Sequence, residues 1–204
     1  MTAFITNGSL PSHRRKQSAG SQRDRASAKS GLVCLVRRAP GRERHRGLLV
    51  TPYGVFPCRL GRSGVSRFKR EGDGATPAAR LRVLSGFCRR DRLPLLAVLA
   101  GLRPLTRSQG WCDDPTSPAY NRPVHLPARA GHERLWRDDR LYDVCLVLDW
   151  NIHPRARRRG SAIFLHLTSD ACGPTRGCIA VDPRIMQRLL AWFPRGIVLQ
   201  VLAG

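Results

Sequence analysis

The chain has 204 residues, of which 42% are hydrophobic, and this is enough apolar material to fill one compact core. Its formal charge of +22 suits an anionic partner such as nucleic acid, anionic lipid or another anionic polymer. The arginines lack the aromatic interleaving of single-strand binding platforms, so no nucleic acid partner is expected. The longest apolar run, residues 93–102, is too short to cross a bilayer, and no transmembrane segment is expected.

The first 30 residues are rich in Ser, Arg, Gln and Gly and poor in large apolar side chains. Such a segment buries too little surface to offset the entropy lost on ordering. We therefore predict a disordered basic tail over residues 1–30, followed by one folded domain over residues 31–204. This start also shows no apolar stretch of the length that a secretory signal requires.

The chain contains seven cysteines, which are spread singly without a CxxC pair. This spacing argues against a zinc ribbon and against a dense disulfide framework. Because the number is odd, at least one thiol is left over, and it is either buried and inert or reactive. We expect neither a metal site nor a cofactor.

Short apolar and β-branched runs separated by Gly and Pro begin at Leu32 and are typical of strands. The prolines within residues 89–138 prevent a clear assignment there. The second half is clearer, and its strands are expected to form the central sheet. The predicted strands are residues 32–37, 47–50, 55–60, 80–87, 141–149, 162–167, 178–181 and 197–202.

One helix is predicted over about residues 183–193. Asp182 is suited to cap its N-terminus, and Pro183 is suited to its first turn. Apolar residues then recur at helical spacing and form a packing face, namely Ile185, Met186, Leu189, Leu190 and Phe193. The sequence therefore predicts a mainly β fold, a β-sandwich or mixed sheet, with one helix in its C-terminal half.

A histidine and a cysteine flank one short loop in this second half. His166 lies at the end of a predicted strand, and Cys178 begins the next. If the two strands are neighbours in one sheet, the loop returns Cys178 beside His166, where the imidazole is expected to lower the pKa of the thiol. Gly177 permits a backbone conformation in which the amides of residues 177 and 178 point at one spot, an oxyanion hole. The alternative is a buried core cysteine and a histidine bonded to backbone.

The run from His166 to Thr175-Arg176-Gly177-Cys178-Ile179 resembles the signature of the L,D-transpeptidase catalytic domain of the YkuD type. A second match, Lys69–Pro77, is similar to the Lys-x-x-Gly-Asp-Gly-x-Thr-Pro loop of that family. The chain also resembles a branch of the family that carries Trp111-Cys112-Asp113-Asp114, Tyr120-Asn121 and His132-Glu133. It departs from the family pattern at four positions, which are Arg176, Thr175, Ala180 and Ala79.

The resemblance implies an L,D-transpeptidase-like β fold and a cysteine acyltransferase that acts on peptidoglycan stem peptides. Cys178 would attack the carbonyl that joins diaminopimelate to D-alanine and form a thioester, with His166 as general base. Transfer to an amine would cross-link the cell wall, and transfer to water would be L,D-carboxypeptidase activity. Gly177 and Cys178 would supply the oxyanion hole, while Arg176 and Thr175 would contact the substrate. Family substrates imply a cell-envelope or periplasmic location, and a cytoplasmic one stays open.

Two further interpretations stay open from the residues alone. The segment Trp111–Asp114, together with His132 and Glu133, suits either a metal site or, as we favour, a polar network. The charge of +22 is also compatible with a non-catalytic module that binds an anionic polymer, either cell wall or nucleic acid. In the Lys69–Pro77 segment, Gly72-Asp73-Gly74 is interpreted as a turn that supports the sheet.

Overall fold

The computed structural model describes residues 31–94, 100–168 and 173–203, and the predicted tail lies outside these residues. The described chain is mainly β, as predicted. No helix within it is long and apolar enough to cross a membrane. The elements are β1 (Leu32–Arg38), β2 (Arg46–Thr51), β3 (Gly54–Arg59), β4 (Val65–Ser66), β5 (Thr76–Pro77), β6 (Arg80–Cys88), β7 (Arg103–Pro104), β8 (Gln109–Cys112), β9 (Arg122–His125), β10 (His132–Arg134), β11 (Val144–Leu148), β12 (Phe164–Leu167), β13 (Ile179–Val181), α1 (Pro183–Leu190) and β14 (Ile197–Val201).

Eight of these strands form a mixed sheet that closes on itself, and β7 adds to it as a ninth strand parallel to β6. Their order is β11-β12-β13-β3-β2-β1-β14-β6, and β6 also pairs with β11. The β1–β14 and β12–β13 pairs are parallel, and the other neighbours are antiparallel. Closure removes the long edges that an open sheet leaves exposed. The mixed sheet was predicted from the sequence, whereas its closure was not.

Two apolar clusters occupy opposite faces of strands β11, β12 and β13. The larger one is the main core and includes Leu49, Leu146, Leu165 and Met186. The smaller one contains aromatic side chains and Cys178. Because both faces are covered, every residue of the three strands is buried, which explains their continuous apolar sequence.

The predicted helix is confirmed, although it is shorter than expected. Asp182 accepts a hydrogen bond from the Arg184 backbone N–H at 2.8 Å, and Pro183 occupies the first turn. The helix ends at Leu190, and a separate 3-10 turn covers Phe193–Arg195. Pro194 has no N–H to donate to a continuing helix, which fits an end before this position. The buried face consists of Ile185, Met186, Leu189 and Leu190.

The region without a clear sequence assignment contains a three-stranded sheet. Its order is β10-β8-β9, and Glu133 of β10 lies opposite Trp111 of β8. This small sheet brings together two sequence segments that are twenty residues apart. Its strands have three or four residues each, which is too short for a reliable periodicity in the sequence.

Candidate active site

The two residues predicted to carry the chemistry line the same cavity. This cavity has a volume of about 770 Å³, and both Cys178 and His166 contribute to its wall. Strands β12 and β13 are parallel neighbours, with His166 opposite Ala180. Cys178 directly precedes β13, so the expected return of the chain beside the histidine is present.

The Cys178 thiol is held between two backbone groups. Its Sγ donates to the Ala162 carbonyl at 3.2 Å and accepts from the Phe164 N–H at 3.4 Å. Only 6% of the residue is exposed. Burial raises the pKa of the thiol to about 12, and the negative charge of Glu133 acts in the same direction. The resting sulfur is therefore a neutral thiol.

His166 is oriented by the backbone, since its Nδ1 lies 2.8 Å from the Leu167 carbonyl oxygen. A carbonyl can only accept, so Nδ1 carries the proton and Nε2 keeps a free lone pair. Burial lowers the pKa of the imidazole to about 4, and the ring is neutral at neutral pH. The expectation that the imidazole lowers the pKa of the Cys178 thiol is wrong in this resting state, because desolvation dominates both groups.

The buried neutral histidine predicts an acid-sensitive fold. Its pKa is about 6.5 in the unfolded chain and about 4 in the native protein, so the unfolded state binds more protons between these values. The free energy of unfolding should therefore fall by about 3 kcal/mol as the pH drops from 6.5 to 4. Urea denaturation of the wild type and of His166→Asn across this range checks the prediction. An equal pH dependence in both proteins would contradict it.

The loop before Cys178 is closed by its own hydrogen bonds. The Thr175 hydroxyl donates to the Cys178 carbonyl at 2.7 Å and accepts from the Gly177 N–H at 3.1 Å. The Thr76 hydroxyl lies 3.4 Å from the same carbonyl. Gly177 has a φ of +141°, and a Cβ there would lie 2.9 Å from the Ala75 carbonyl oxygen. Only glycine fits this position.

These bonds occupy two groups that were expected to serve the substrate. The Gly177 amide was expected in the oxyanion hole, but it is already bonded to Thr175. The Thr175 hydroxyl was expected to contact substrate, but it makes both of its bonds within the loop. The Cys178 amide makes no hydrogen bond to another described residue, so it remains available as a donor to an oxyanion.

Replacement of Thr175 tests this positioning role. Thr175→Val keeps the shape of the side chain and removes both loop hydrogen bonds, so Cys178 should shift within the cavity. We expect the acylation rate of Cys178 to fall about 10²-fold, as is usual when a reacting group is misplaced. Thr175→Ser retains the hydroxyl and should stay within a few-fold of the wild type. The acylation rates are measured by mass spectrometry of samples quenched at successive times. Equal rates for the valine and serine variants would contradict the positioning role of the Thr175 hydroxyl.

The Lys69–Pro77 segment packs against the loop that precedes Cys178. The Lys69 ammonium is buried and lies 2.6 Å from Asp73 Oδ1, and Asp73 also accepts from the Arg70 and Ala75 amides at 2.7 and 2.8 Å. The adjoining Thr76 hydroxyl accepts from the Gly61 N–H at 2.9 Å. These bonds agree with the interpretation of this segment as a supporting turn.

Sequence reasoning missed Tyr142 as a site residue. Its ring packs edge-on against His166 with centroids 5.1 Å apart, and its hydroxyl donates to Glu133 Oε1 at 2.6 Å. Tyr142 also lines the cavity. The sequence places this tyrosine at the start of a predicted strand, and only packing brings it to the histidine.

The motif around Trp111 forms a polar network. Trp111 Nε1 donates to Asn121 Oδ1 at 2.9 Å, and the same oxygen accepts from the Ala162 N–H at 3.1 Å. Ala162 has a φ of +51° and provides the carbonyl that binds the Cys178 thiol. The network therefore anchors one neighbour of the sulfur. Among the described residues there is no group of three His, Cys, Asp or Glu side chains placed to hold a metal.

Charges of both signs surround the cavity. Arg176 is exposed and contributes to the wall, and its contact with a substrate stays a prediction. The other charged lining residues are Arg59, Arg62, Lys69, Arg134, Arg137, Glu71, Asp113 and Glu133. A substrate with both ammonium and carboxylate groups suits such a wall.

The model of the YkuD family, described as the L,D-transpeptidase catalytic domain, matches residues 44–201. The chain belongs to this family. It is also similar to two solved structures, one of Bdellovibrio bacteriovorus Bd1075 and one of Mycobacterium tuberculosis L,D-transpeptidase 1. The first has 16% identity, a TM-score of 0.42, and coverage of 87% of this chain and 49% of that chain. The second has 12% identity, a TM-score of 0.34, and coverage of 85% and 62%.

The chain therefore spans about half of the Bdellovibrio protein and less than two thirds of the mycobacterial one. No curated protein matches the chain. Members of the YkuD family act on peptidoglycan stem peptides and are typically associated with the cell envelope.

Proposed function

We propose that this protein is a cysteine-dependent L,D-transpeptidase that acts on peptidoglycan stem peptides through a thioester at Cys178. One observation carries the proposal: the thiol of Cys178 and the neutral imidazole of His166 line one cavity. The histidine is held at Nδ1 by the Leu167 carbonyl, which leaves Nε2 to accept a proton. If Cys178 were only a core residue and His166 only a structural one, there would be no reason for both to line one cavity.

Acylation begins from a neutral pair. As the Cys178 sulfur attacks the carbonyl between diaminopimelate and D-alanine, its proton passes to Nε2 of His166. The tetrahedral intermediate collapses when His166 returns this proton to the leaving amine. D-Alanine departs, and the thioester remains. Because the thiol has a pKa of about 12, proton transfer accompanies the attack and a stored thiolate is not required.

The Cys178 amide is the oxyanion donor in this mechanism, since the Gly177 amide is bonded to Thr175. One such donor contributes about 3 to 4 kcal/mol to the stabilisation of a tetrahedral intermediate. The exposed Arg176 is placed to pair with a free carboxylate of the stem. In this proposal the reacting carbonyl would lie next to Cys178, and the charged ends of the stem would lie along the cavity wall.

The thioester has two fates. Attack by an amine of a second stem cross-links the cell wall, and attack by water completes a carboxypeptidase reaction. In both cases His166 deprotonates the attacking group and returns the proton to the sulfur. We assign the protein to the cell envelope, because its proposed substrate lies there.

Intact-mass measurement after incubation with a carbapenem tests the proposal, since this β-lactam class is expected to acylate the cysteine. The wild type should gain one adduct, and Cys178→Ala should gain none. Cys34→Ala, which removes a thiol from the main core, should keep the adduct and serves as the matched control. A folded wild type that stays unmodified would contradict the proposal. Salt titration against purified cell wall and DNA would then test the polymer-binding alternative.

A further inference from the structure

The reaction cavity contains a carboxylate that forms no ion pair with any described residue. Glu133 lies in β10 and lines the cavity together with Cys178 and His166. No Arg or Lys among the described residues forms an ion pair with it. Arg137, which contributes to the same wall, pairs with Asp139 instead. Glu133 is therefore a carboxylate near the proposed nucleophile that the described Arg and Lys side chains do not neutralise by an ion pair.

Glu133 is connected to the reacting groups through one side chain. Its Oε1 accepts the Tyr142 hydroxyl proton at 2.6 Å, and the Tyr142 ring packs edge-on against His166. This single hydrogen bond fixes one carboxylate oxygen. Oε2 makes no hydrogen bond to a described side chain or backbone group, and the residue lines the cavity. It is therefore an acceptor that a molecule in the cavity can reach.

We propose that Glu133 binds the ammonium group of the acyl acceptor and takes its first proton, and so favours amines over water as attackers of the Cys178 thioester. This inference rests on the proposed function. It assigns a catalytic role in the second half of the reaction to a residue outside the cysteine and histidine pair.

The chemistry requires such a group because an amine arrives as R-NH3⁺ and has no lone pair for attack. Glu133 receives one proton, which gives R-NH2 and a neutral carboxylic acid. The amine nitrogen then bonds to the thioester carbonyl and gives its second proton to Nε2 of His166. The carbon–sulfur bond breaks, His166 protonates the Cys178 sulfur, and Glu133 loses its proton to solvent. Water is neutral and needs no first step of this kind.

The surroundings of Glu133 support a role as a base. Burial raises the pKa of this carboxyl above its ordinary value, and Asp113 acts in the same direction, whereas the Tyr142 hydrogen bond and the charges of Arg137 and Arg176 lower it. A raised pKa makes the carboxylate a stronger base toward an ammonium group. The titratable and charged groups that face it are Arg137, Asp113, Arg176, Tyr142, Cys145 and Cys178.

Partition of the acyl-enzyme tests the assignment. The wild type and Glu133→Gln are incubated with a stem tetrapeptide and an alkylamine acceptor at about pH 7, and aminolysis and hydrolysis products are counted by mass spectrometry. We expect the ratio of aminolysis to hydrolysis to fall about 10²-fold in Glu133→Gln. With hydroxylamine, which is neutral at this pH, the ratio should fall much less. Glu43→Gln removes an exposed carboxylate outside the cavity and is the matched control.

Tyr142→Phe gives a second readout if Glu133→Gln does not fold. Loss of the hydroxyl removes a bond that stabilises the carboxylate, so the pH at which aminolysis increases should move upward. The inference would be overturned by any of three results. These are an unchanged ratio in Glu133→Gln, an equal fall of the ratio for both acceptors, or no change in Tyr142→Phe in the pH at which aminolysis increases. If the wild type forms a thioester and one of these results is found, only the inference fails. If the wild type forms none, the proposed function fails and the inference falls with it.

Discussion

His166→Ala is expected to lower the rate of Cys178 acylation by about 10²- to 10⁴-fold, the usual contribution of a positioned general base. The physical reason is the state of the thiol, whose pKa is about 12. Without a proton acceptor within reach, almost no sulfur is ionised at neutral pH. The rate is measured from the time course of adduct formation with a carbapenem.

The pH dependence of the acylation rate should also differ between the wild type and His166→Ala. The wild-type rate should be flat between about pH 5 and 11, because His166 has a pKa of about 4 and the thiol one of about 12. In His166→Ala the rate should instead rise with pH, as the thiolate fraction grows. His125→Ala removes an exposed histidine of β9 and should behave like the wild type. A wild-type limb near pH 6.5 would contradict the assignment of a buried neutral base.

Asp73→Ala is expected to destabilise the protein by about 3 to 5 kcal/mol, the cost of leaving a buried partner charge unpaired. The side chain of Lys69 is 2% exposed, and its ammonium lies 2.6 Å from Asp73. The substitution also removes the acceptor of two backbone amides, those of Arg70 and Ala75. Urea denaturation of the purified proteins measures the difference.

Glu43→Ala provides the comparison for this effect. Glu43 pairs with Arg46 on the surface, where both side chains are more than half exposed, and such pairs contribute about 0 to 1 kcal/mol. A loss for Asp73→Ala as small as that for Glu43→Ala would contradict a supporting role of the buried pair. Because Thr76 and Ala75 of the same segment contact the cysteine loop, Asp73→Ala should also slow acylation of Cys178.

The Cys178–His166 pair was predictable because its geometry follows from local pattern. Both residues stand at the ends of continuous apolar runs, and such runs become adjacent buried strands. Their protonation was not predictable. A sequence shows that an imidazole lies near a thiol, but the sign of the pKa shift depends on how much water is left around each group.

The hydrogen bonds of Thr175 and Gly177 were likewise not predictable from the sequence. The motif places a hydroxyl and a free amide next to the nucleophile, and both are suited to bind substrate. In the folded loop the Gly177 amide donates to the Thr175 hydroxyl, because a compact turn pairs its own donors and acceptors. These pairings depend on the three-dimensional path of the loop, which the order of its residues does not specify.

The sequence by itself determined the mainly β character, the helix that follows Asp182, and the placement of Cys178 beside the strand that carries His166. These depend on local propensities and on short motifs, which are encoded within a few residues. Only the tertiary structure decided the closure of the sheet, the neutral state of the cysteine and histidine, the hydrogen bond between Tyr142 and Glu133, and the packing of Tyr142 against His166. These depend on contacts between segments far apart in sequence and on the exclusion of water, and neither is written in any single stretch of the chain.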